Sequence, residues 1–79
     1  MARAYVLITT EVGAEEEVKE ELLKEPEILE ADVVFGVYDI VAKIEGESIE
    51  HIRKIVTWKI RRLEKVTSTQ TLIVAAAEK

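Results

Sequence analysis

The chain opens on AYVLITT, Ala4 to Thr10, a β-branched and aromatic run without a helical period, which predicts a strand. Gly13 interrupts the run. Beyond it Glu15, Glu16 and Glu17 place negative charge where a helix N-terminus is positive, and Ala14, Val18 and Leu22 recur at four-residue steps on one face. Lys24 and Pro26 close this first helix after about three turns, since proline disfavours helical geometry in the residue before it. Ile28 to Gly36 alternates loosely in Val, Ile and Phe and predicts a second strand. Val37 to Glu45 predicts a third, paired with the second as a hairpin about Gly36. Gly46-Glu47-Ser48 supplies a turn and an N-cap, and from there Ile49, Ile52, Val56, Ile60 and Leu63 fall within an arc of roughly 80° on a helix of four to five turns. Val66 to Ala76 returns to strand chemistry.

The order βαββαβ predicts an α+β, ferredoxin-like sandwich, a four-stranded antiparallel sheet with two helices on one face. It is a single domain over residues 1–79, without linker, repeat or low-complexity segment. The sheet face away from the helices should alternate towards polar residues if it met water. Here Tyr5 and Leu7 oppose Val6 and Ile8, and Leu72 and Val74 oppose Ile73 and Ala75, so both faces read as buried. No residues remain to build a second layer, and the simplest cover is the sheet of another copy, giving a dimer through the sheet.

Composition strengthens that expectation. A core of fewer than about 80 residues rarely supplies more than about 3–5 kcal/mol, and such chains lean on disulfides, metals or oligomerisation. Cysteine is absent, which removes disulfides and thiolate chemistry, and one histidine offers no ligand set for a metal. No cofactor or metal is expected, and self-association remains. The net charge of −5 and a pI near 4.9 argue against direct nucleic-acid binding, which needs a basic surface. The charge is nonetheless asymmetric: nine of the 16 acidic residues lie between Glu11 and Glu30, and six of the 11 basic ones between Arg53 and Lys65. No apolar run approaches the roughly 20 residues of a membrane span, and Met1-Ala2-Arg3 enters a strand in place of a signal peptide, so a cytosolic (cytoplasmic) protein is expected. The absence of Asn, a single Gln and abundant Glu and Lys lean towards a thermophilic source.

Three constellations could carry chemistry. The basic stretch from Arg53 to Lys65 fits a solvated helix face whose cations offset the C-terminal dipole; an RNA-binding sheet would need aromatic residues on its central strands, which are missing. His51, Ile55, Trp58 and Arg62 share a second face of that helix, about 140° from the core stripe. Trp and Arg are favoured at interface centres, so this face is a candidate contact with another subunit, against the plainer reading of a Trp along the rim of its own core. His51 alone could serve as a general base, but no orienting partner is visible. The third is Gly36-Val37-Tyr38-Asp39 with the hydroxyl row Thr67-Ser68-Thr69-Gln70-Thr71. Asp39 could accept backbone hydrogen bonds in the hairpin, or bind an ammonium group; hydroxyls and backbone N–H groups suit a carboxylate, so the pair suits an α-amino acid.

With its YVLITT strand and glycine before an acidic helix, G-x-Y-D at Gly36, Tyr38 and Asp39, and V-T-S-T-x-T from Val66 to Thr71, the chain resembles the effector-binding RAM domain of the Lrp/AsnC transcription regulators. The resemblance covers essentially the whole chain. Family members carry an N-terminal helix-turn-helix, which these 79 residues lack, and the chain is expected to be of the stand-alone type. The resemblance implies a non-enzymatic module that dimerises through its sheets and assembles into rings, often of eight or ten subunits, with amino-acid effectors bound between dimers. It implies a ligand site of Gly36, Val37, Tyr38, Asp39, Thr67, Ser68 and Thr69, and an effect on transcription through co-assembly with full-length regulators. A small dimeric α/β-barrel enzyme, monooxygenase-like or isomerase-like, is the alternative.

Overall fold

A computed structural model describes residues 1–75. The elements follow the expected order: β1 (Ala2–Thr10), α1 (Glu15–Leu22), β2 (Ile28–Val33), β3 (Ile40–Gly46), α2 (Ile49–Ile55) running into a π-helical turn (Val56–Ile60), and β4 (Val66–Ile73). The strands form one sheet in the order β2-β3-β1-β4, antiparallel at every pairing. This is the ferredoxin-like α+β arrangement. The expected strand end at Ala76 lies outside the described residues. No helix among the described residues is long and apolar enough to cross a membrane.

The side-chain period of two divides the sheet into two faces. On β1 every second residue, from Ala2 to Thr10, is buried. The register sets Ile44 beside Ala4, Ala42 beside Val6 and Ile40 beside Ile8, so one face is an aliphatic layer. Val18 and Leu22 of α1 and Ile52, Ile55, Val56 and Ile60 of α2 and the π turn close over it, placing both helices on that face. The opposite face carries Tyr5 between Lys43 and Leu72, and Leu7 between Val41 and Gln70. Within one chain that face is not fully buried as the pattern implied: Tyr5 is 40% and Leu72 47% exposed, while Leu7 and Val41 are half-buried. Nor is every helix-side residue covered. Ile73 pairs with Ala4 on that face and is 39% exposed at the sheet edge.

Three boundaries differ from the sequence expectation. Helix α1 has eight residues, about two turns, because a tight turn closes after it with Glu25 N–H donating to the Leu22 carbonyl. The hairpin is looser: β2 stops at Val33 and β3 starts at Ile40, so Val37 to Asp39 are loop and not strand. Val34 N–H donates to the Asp39 carbonyl at 2.9 Å and Asp39 N–H to the Ile8 carbonyl at 2.9 Å, which pins both ends of the loop. Phe35, Gly36 and Val37 project between them, with Gly36 at φ +145°, a conformation that L side chains rarely adopt.

The second helix departs most. Ser48 caps it as expected, its Oγ accepting from His51 N–H at 3.1 Å. It is not regular throughout, however: Arg61 N–H donates to the Val56 carbonyl at 2.8 Å, an i→i+5 bond. In an α-helix Ile55 and Ile60 would point about 140° apart. The wider turn brings them onto one face, and both are buried, Ile55 at 2% exposure. Ile55 therefore leaves the outward set His51, Ile55, Trp58 and Arg62 and joins the core. Ile49, expected inside, is 48% exposed, and the helical segment ends at Ile60 before Leu63.

This register predicts unequal effects of truncation. Ile55→Ala should destabilise by about 2–5 kcal/mol, as a fully packed aliphatic does. Trp58→Ala, at an exposed position, should change stability by about 0.5 kcal/mol. Urea unfolding of the two variants measures both, and equal effects would refute the π-turn register.

Candidate functional site

The loop between β2 and β3 is held to the central strand by Asp39. Besides its two backbone bonds, its Oδ2 accepts from Thr10 N–H at 2.8 Å. The carboxylate thus takes the backbone-accepting role foreseen for it, although the donor is on β1, not within the hairpin. A depression of about 290 Å³ opens beside it, with Val33 to Gly36 and Asp39 on one side and Glu15 and Glu16 of α1 on the other. Its charge suits a cationic group. Val37, 84% exposed, and the half-buried Tyr38 do not line it.

The hydroxyl segment lies on the other side of the β1 terminus. The β1–β4 register shifts between Thr9 and Thr10, and this irregularity sets Thr67 and Ser68 together against Thr9. Thr9 Oγ1 lies 2.7 Å from Thr67 Oγ1 and 2.6 Å from Ser68 Oγ. Val66, Thr67, Ser68 and Thr69 line a second depression of about 340 Å³ with Arg61. The structure therefore brings Gly36 and Asp39 to one depression and Thr67, Ser68 and Thr69 to another. Adjacent residues link the two: Thr9 holds the hydroxyls and Thr10 meets Asp39. Neither threonine was identifiable beforehand, because the bulge that aligns Thr9 has no signature in a run of β formers.

The outward face of α2 has a different organisation. Trp58 is 66% exposed and Arg62 is exposed, whereas His51 is half-buried. His51 Nδ1 accepts from Glu47 N–H at 3.0 Å, and Nε2 lies 4.0 Å from Glu27 Oε2. An Nδ1 that accepts leaves the ring proton on Nε2, facing Glu27. The imidazole thus has a structural use at the helix start, and the base role considered for it gains no support. Lys59 Nζ donates to both oxygens of Glu27 at 3.0 Å and lies 3.2 Å from Glu25 Oε1. The Lys59 hydrogen bond, with the backbone's own, holds the Glu27 carboxyl below its ordinary 4.5. The same contacts, Glu27 first and then Glu25, raise the Lys59 ammonium above its ordinary value.

Known proteins resemble the chain over nearly its whole length. A model of the Lrp/AsnC ligand binding domain matches residues 3–79. The HTH-type transcriptional regulator FL11 of Pyrococcus furiosus is 34% identical over 76 residues, which are 96% of this chain and 50% of that protein. The chain spans about half the length of the curated relatives it matches. Among solved structures, FFRP-DM1 superposes with a TM-score of 0.91 at 39% identity, covering 95% of this chain and 100% of that one. Protein PHS023 from Pyrococcus horikoshii does so with a TM-score of 0.89, also at 39% identity, over 95% and 90% of the two chains.

Two measurements test the local chemistry. Asp39→Ala strands the Thr10 N–H and should cost about 1–3 kcal/mol with faster amide exchange at Thr10, while Asp39→Asn, which keeps an acceptor, should recover most of the loss. Unchanged exchange in Asp39→Ala would refute the latch. A carboxyl lowered on folding contributes fully above its ordinary value and loses that contribution as pH falls through the lowered one. The melting-temperature gap between wild type and Lys59→Met should therefore narrow as the pH drops below 4.5, the ordinary Glu27 value. A gap that does not change with pH would refute the Glu27–Lys59 coupling.

Proposed function

The chain belongs to the family of Lrp/AsnC ligand-binding domains, and on that premise we propose that it binds a small amino-acid effector and couples binding to assembly. The family binds small effectors and oligomerises, and its members are regulator domains that are typically non-enzymatic. For this chain the proposed ligand site comprises the loop Gly36, Val37, Tyr38 and Asp39 with Thr67, Ser68 and Thr69. The observation that carries the reading is the loop itself: it is fastened to β1 through Asp39, yet presents exposed backbone at Gly36 and Val37 beside an acidic depression.

The separate linings of the two depressions favour a site assembled from more than one copy: Gly36 and Asp39 line one and Thr67 to Thr69 the other, whereas the amino and carboxyl groups of an α-amino acid share one carbon. Loop and hydroxyl segment from neighbouring copies, apposed, would present an anionic and a donor-rich surface to one ligand. Assembly has its own support in the open sheet face. Tyr5, Leu7, Val41 and Leu72 form an apolar band there, bordered by Lys43, Gln70 and the Arg3–Glu45 ion pair at 3.1 Å. Such a band on a small sheet fits the same band on a second copy, in a two-fold arrangement. The dimers would then assemble further, to eight or ten subunits, and influence transcription by co-assembly with full-length regulators. Trp58 and Arg62, exposed on the outer helix face, are proposed contacts between dimers.

Calorimetric titration of the twenty amino acids, with light scattering before and after each addition, tests the proposal. One or a few amino acids should bind and alter the assembly size, and Asp39→Ala should lose that binding. No binding by wild type, or undiminished binding by the variant, would overturn the site. Leu72→Glu should dissociate the sheet-to-sheet dimer, and a wild-type protein that is a monomer at all concentrations would refute the dimer.

A further inference from the structure

The second helical segment carries cations on its outer side without counter-ions. Arg53, Lys54, Thr57, Trp58, Arg61 and Arg62 are all exposed and recur as neighbouring pairs at four-residue steps. No acid stands between Glu50 and Glu64 in the sequence. Among the described residues none of Arg53, Lys54, Arg61 and Arg62 has a carboxylate within ion-pair distance, whereas Lys59 is held by Glu25 and Glu27, and Lys65 by Glu17. Trp58, 66% exposed and the one tryptophan of the chain, stands in their midst. An exposed Trp among arginines has the composition of an interface centre.

Helix α1 offers the opposite surface. Glu16 and Glu20 are exposed one turn apart, and Leu23, 46% exposed, follows on the same side. Glu17 and Glu21 are paired with Lys65 and Lys24, but among the described residues Glu16 and Glu20 have no cation within ion-pair distance. The two stripes match in order and spacing. At about 1.5 Å of rise per residue, Glu20 and Glu16 lie about 4.5 and 10.5 Å along the axis from Leu23, and Arg61 and Arg62 about 4.5 and 6 Å from Trp58. Antiparallel apposition sets Leu23 on Trp58 and brings both glutamates within reach of the two long arginine side chains, with the helix dipoles opposed. Both stripes are exposed in the single chain, so the contact needs a second copy. Glu16 lines the depression beside Asp39 and Arg61 the one at Thr67 to Thr69, so the same apposition draws these two depressions, from different copies, towards each other.

We propose that the face formed by Lys54, Trp58, Arg61 and Arg62 docks antiparallel on the Glu16, Glu20 and Leu23 face of α1 in another copy, and that sheet-to-sheet dimers join one another through this contact. It rests on the reading that the dimers assemble further, and deepens it by naming the counter-surface of Trp58 and Arg62. Each subunit offers both a basic and an acidic face, so a dimer can join neighbours on two sides. Trp58 and Leu23 supply the apolar centre, and the ion pairs around them set orientation and salt sensitivity.

Sedimentation velocity and Trp58 fluorescence of the full chain, over a range of protein concentrations, test the contact. At about 0.1 M sodium chloride, where screening sets in at about 10 Å, species larger than the dimer should form with blue-shifted Trp58 emission; at about 1 M, where it sets in at about 3 Å, they should fall back to dimers with red-shifted emission. Glu16→Lys with Glu20→Lys, and separately Arg61→Glu with Arg62→Glu, should each raise the concentration needed for assembly beyond the dimer by more than about tenfold. An equimolar mixture of the two double variants should restore assembly, because each reversed face then meets its complement, a recovery that misfolded variants could not show. Trp58 emission that is the same in dimer and larger species, or a mixture of the two variants, folded by circular dichroism, that stays dimeric, would overturn the helix contact. Larger species undiminished in both double variants would overturn the contact and leave the further assembly of dimers standing. A wild type that stops at the dimer would overturn both.

Discussion

A short helical segment must lay four aliphatic side chains, Ile52, Ile55, Val56 and Ile60, on the layer formed by Ala4, Val6, Ile8, Ile40, Ala42 and Ile44, and much of the molecule follows from how it does so. Each of those four side chains gains about 1.5–3 kcal/mol from burial, more than a locally widened turn costs. A regular helix would align Ile52 and Val56 but leave either Ile55 or Ile60 turned away. The π turn satisfies all four. Small residues under the helix help, since Ala4 and Ala42 let its backbone come close to the central strands. Gly46 does the same at the helix start: a Cβ there would meet His51 Nδ1 at 3.0 Å and Ile52 Cγ1 at 3.2 Å.

The charge pattern is sorted along the same segment. Lys59 reaches back to the α1–β2 connection, to Glu25 and Glu27, and ties the second helical segment to it. His51 completes the tie from the first turn of α2 through its approach to Glu27. These are partly exposed contacts, of modest worth individually, but they converge on one carboxylate and fix the end of α2 relative to β2. The acidic first half and basic second half thus meet at a few defined pairs, while a surplus of each sign stays on the surface: acids around α1 and the Asp39 loop, arginines along α2 and the β4 edge. That surplus, not the pairs, gives the two depressions their opposite character.

The terminus of β1 organises the candidate site in the same economical way. Two consecutive threonines serve the two sides of the strand, Thr9 holding Thr67 and Ser68 of β4, and Thr10 offering its N–H to Asp39 on the β3 side. A displacement of either loop is therefore felt at the other through a single peptide unit. The β2–β3 loop and the start of β4 are thereby mechanically joined at the end of the central strand.

The order of elements was legible from residue pattern, because alternation on Ala4–Thr10 and the four-residue steps of Ala14, Val18 and Leu22 report burial directly. The G-x-Y-D and V-T-S-T-x-T segments singled out residues that line two different depressions, and Ser48 announced its helix cap. Two things were not legible: the loop character of Val37 to Asp39 and the inward turn of Ile55. Each depends on a bond between residues distant in the chain or on a change of helical pitch. Asp39 leaves the strand because Ile8 and Thr10 capture it, and Ile55 turns inward because the layer beneath rewards it. Periodicity assumes one fixed angle per residue and therefore identifies the faces an element offers. Which face is used, and where the pitch changes to use it, is set by the shape of the surface it packs against, and that surface exists only once the strands have paired.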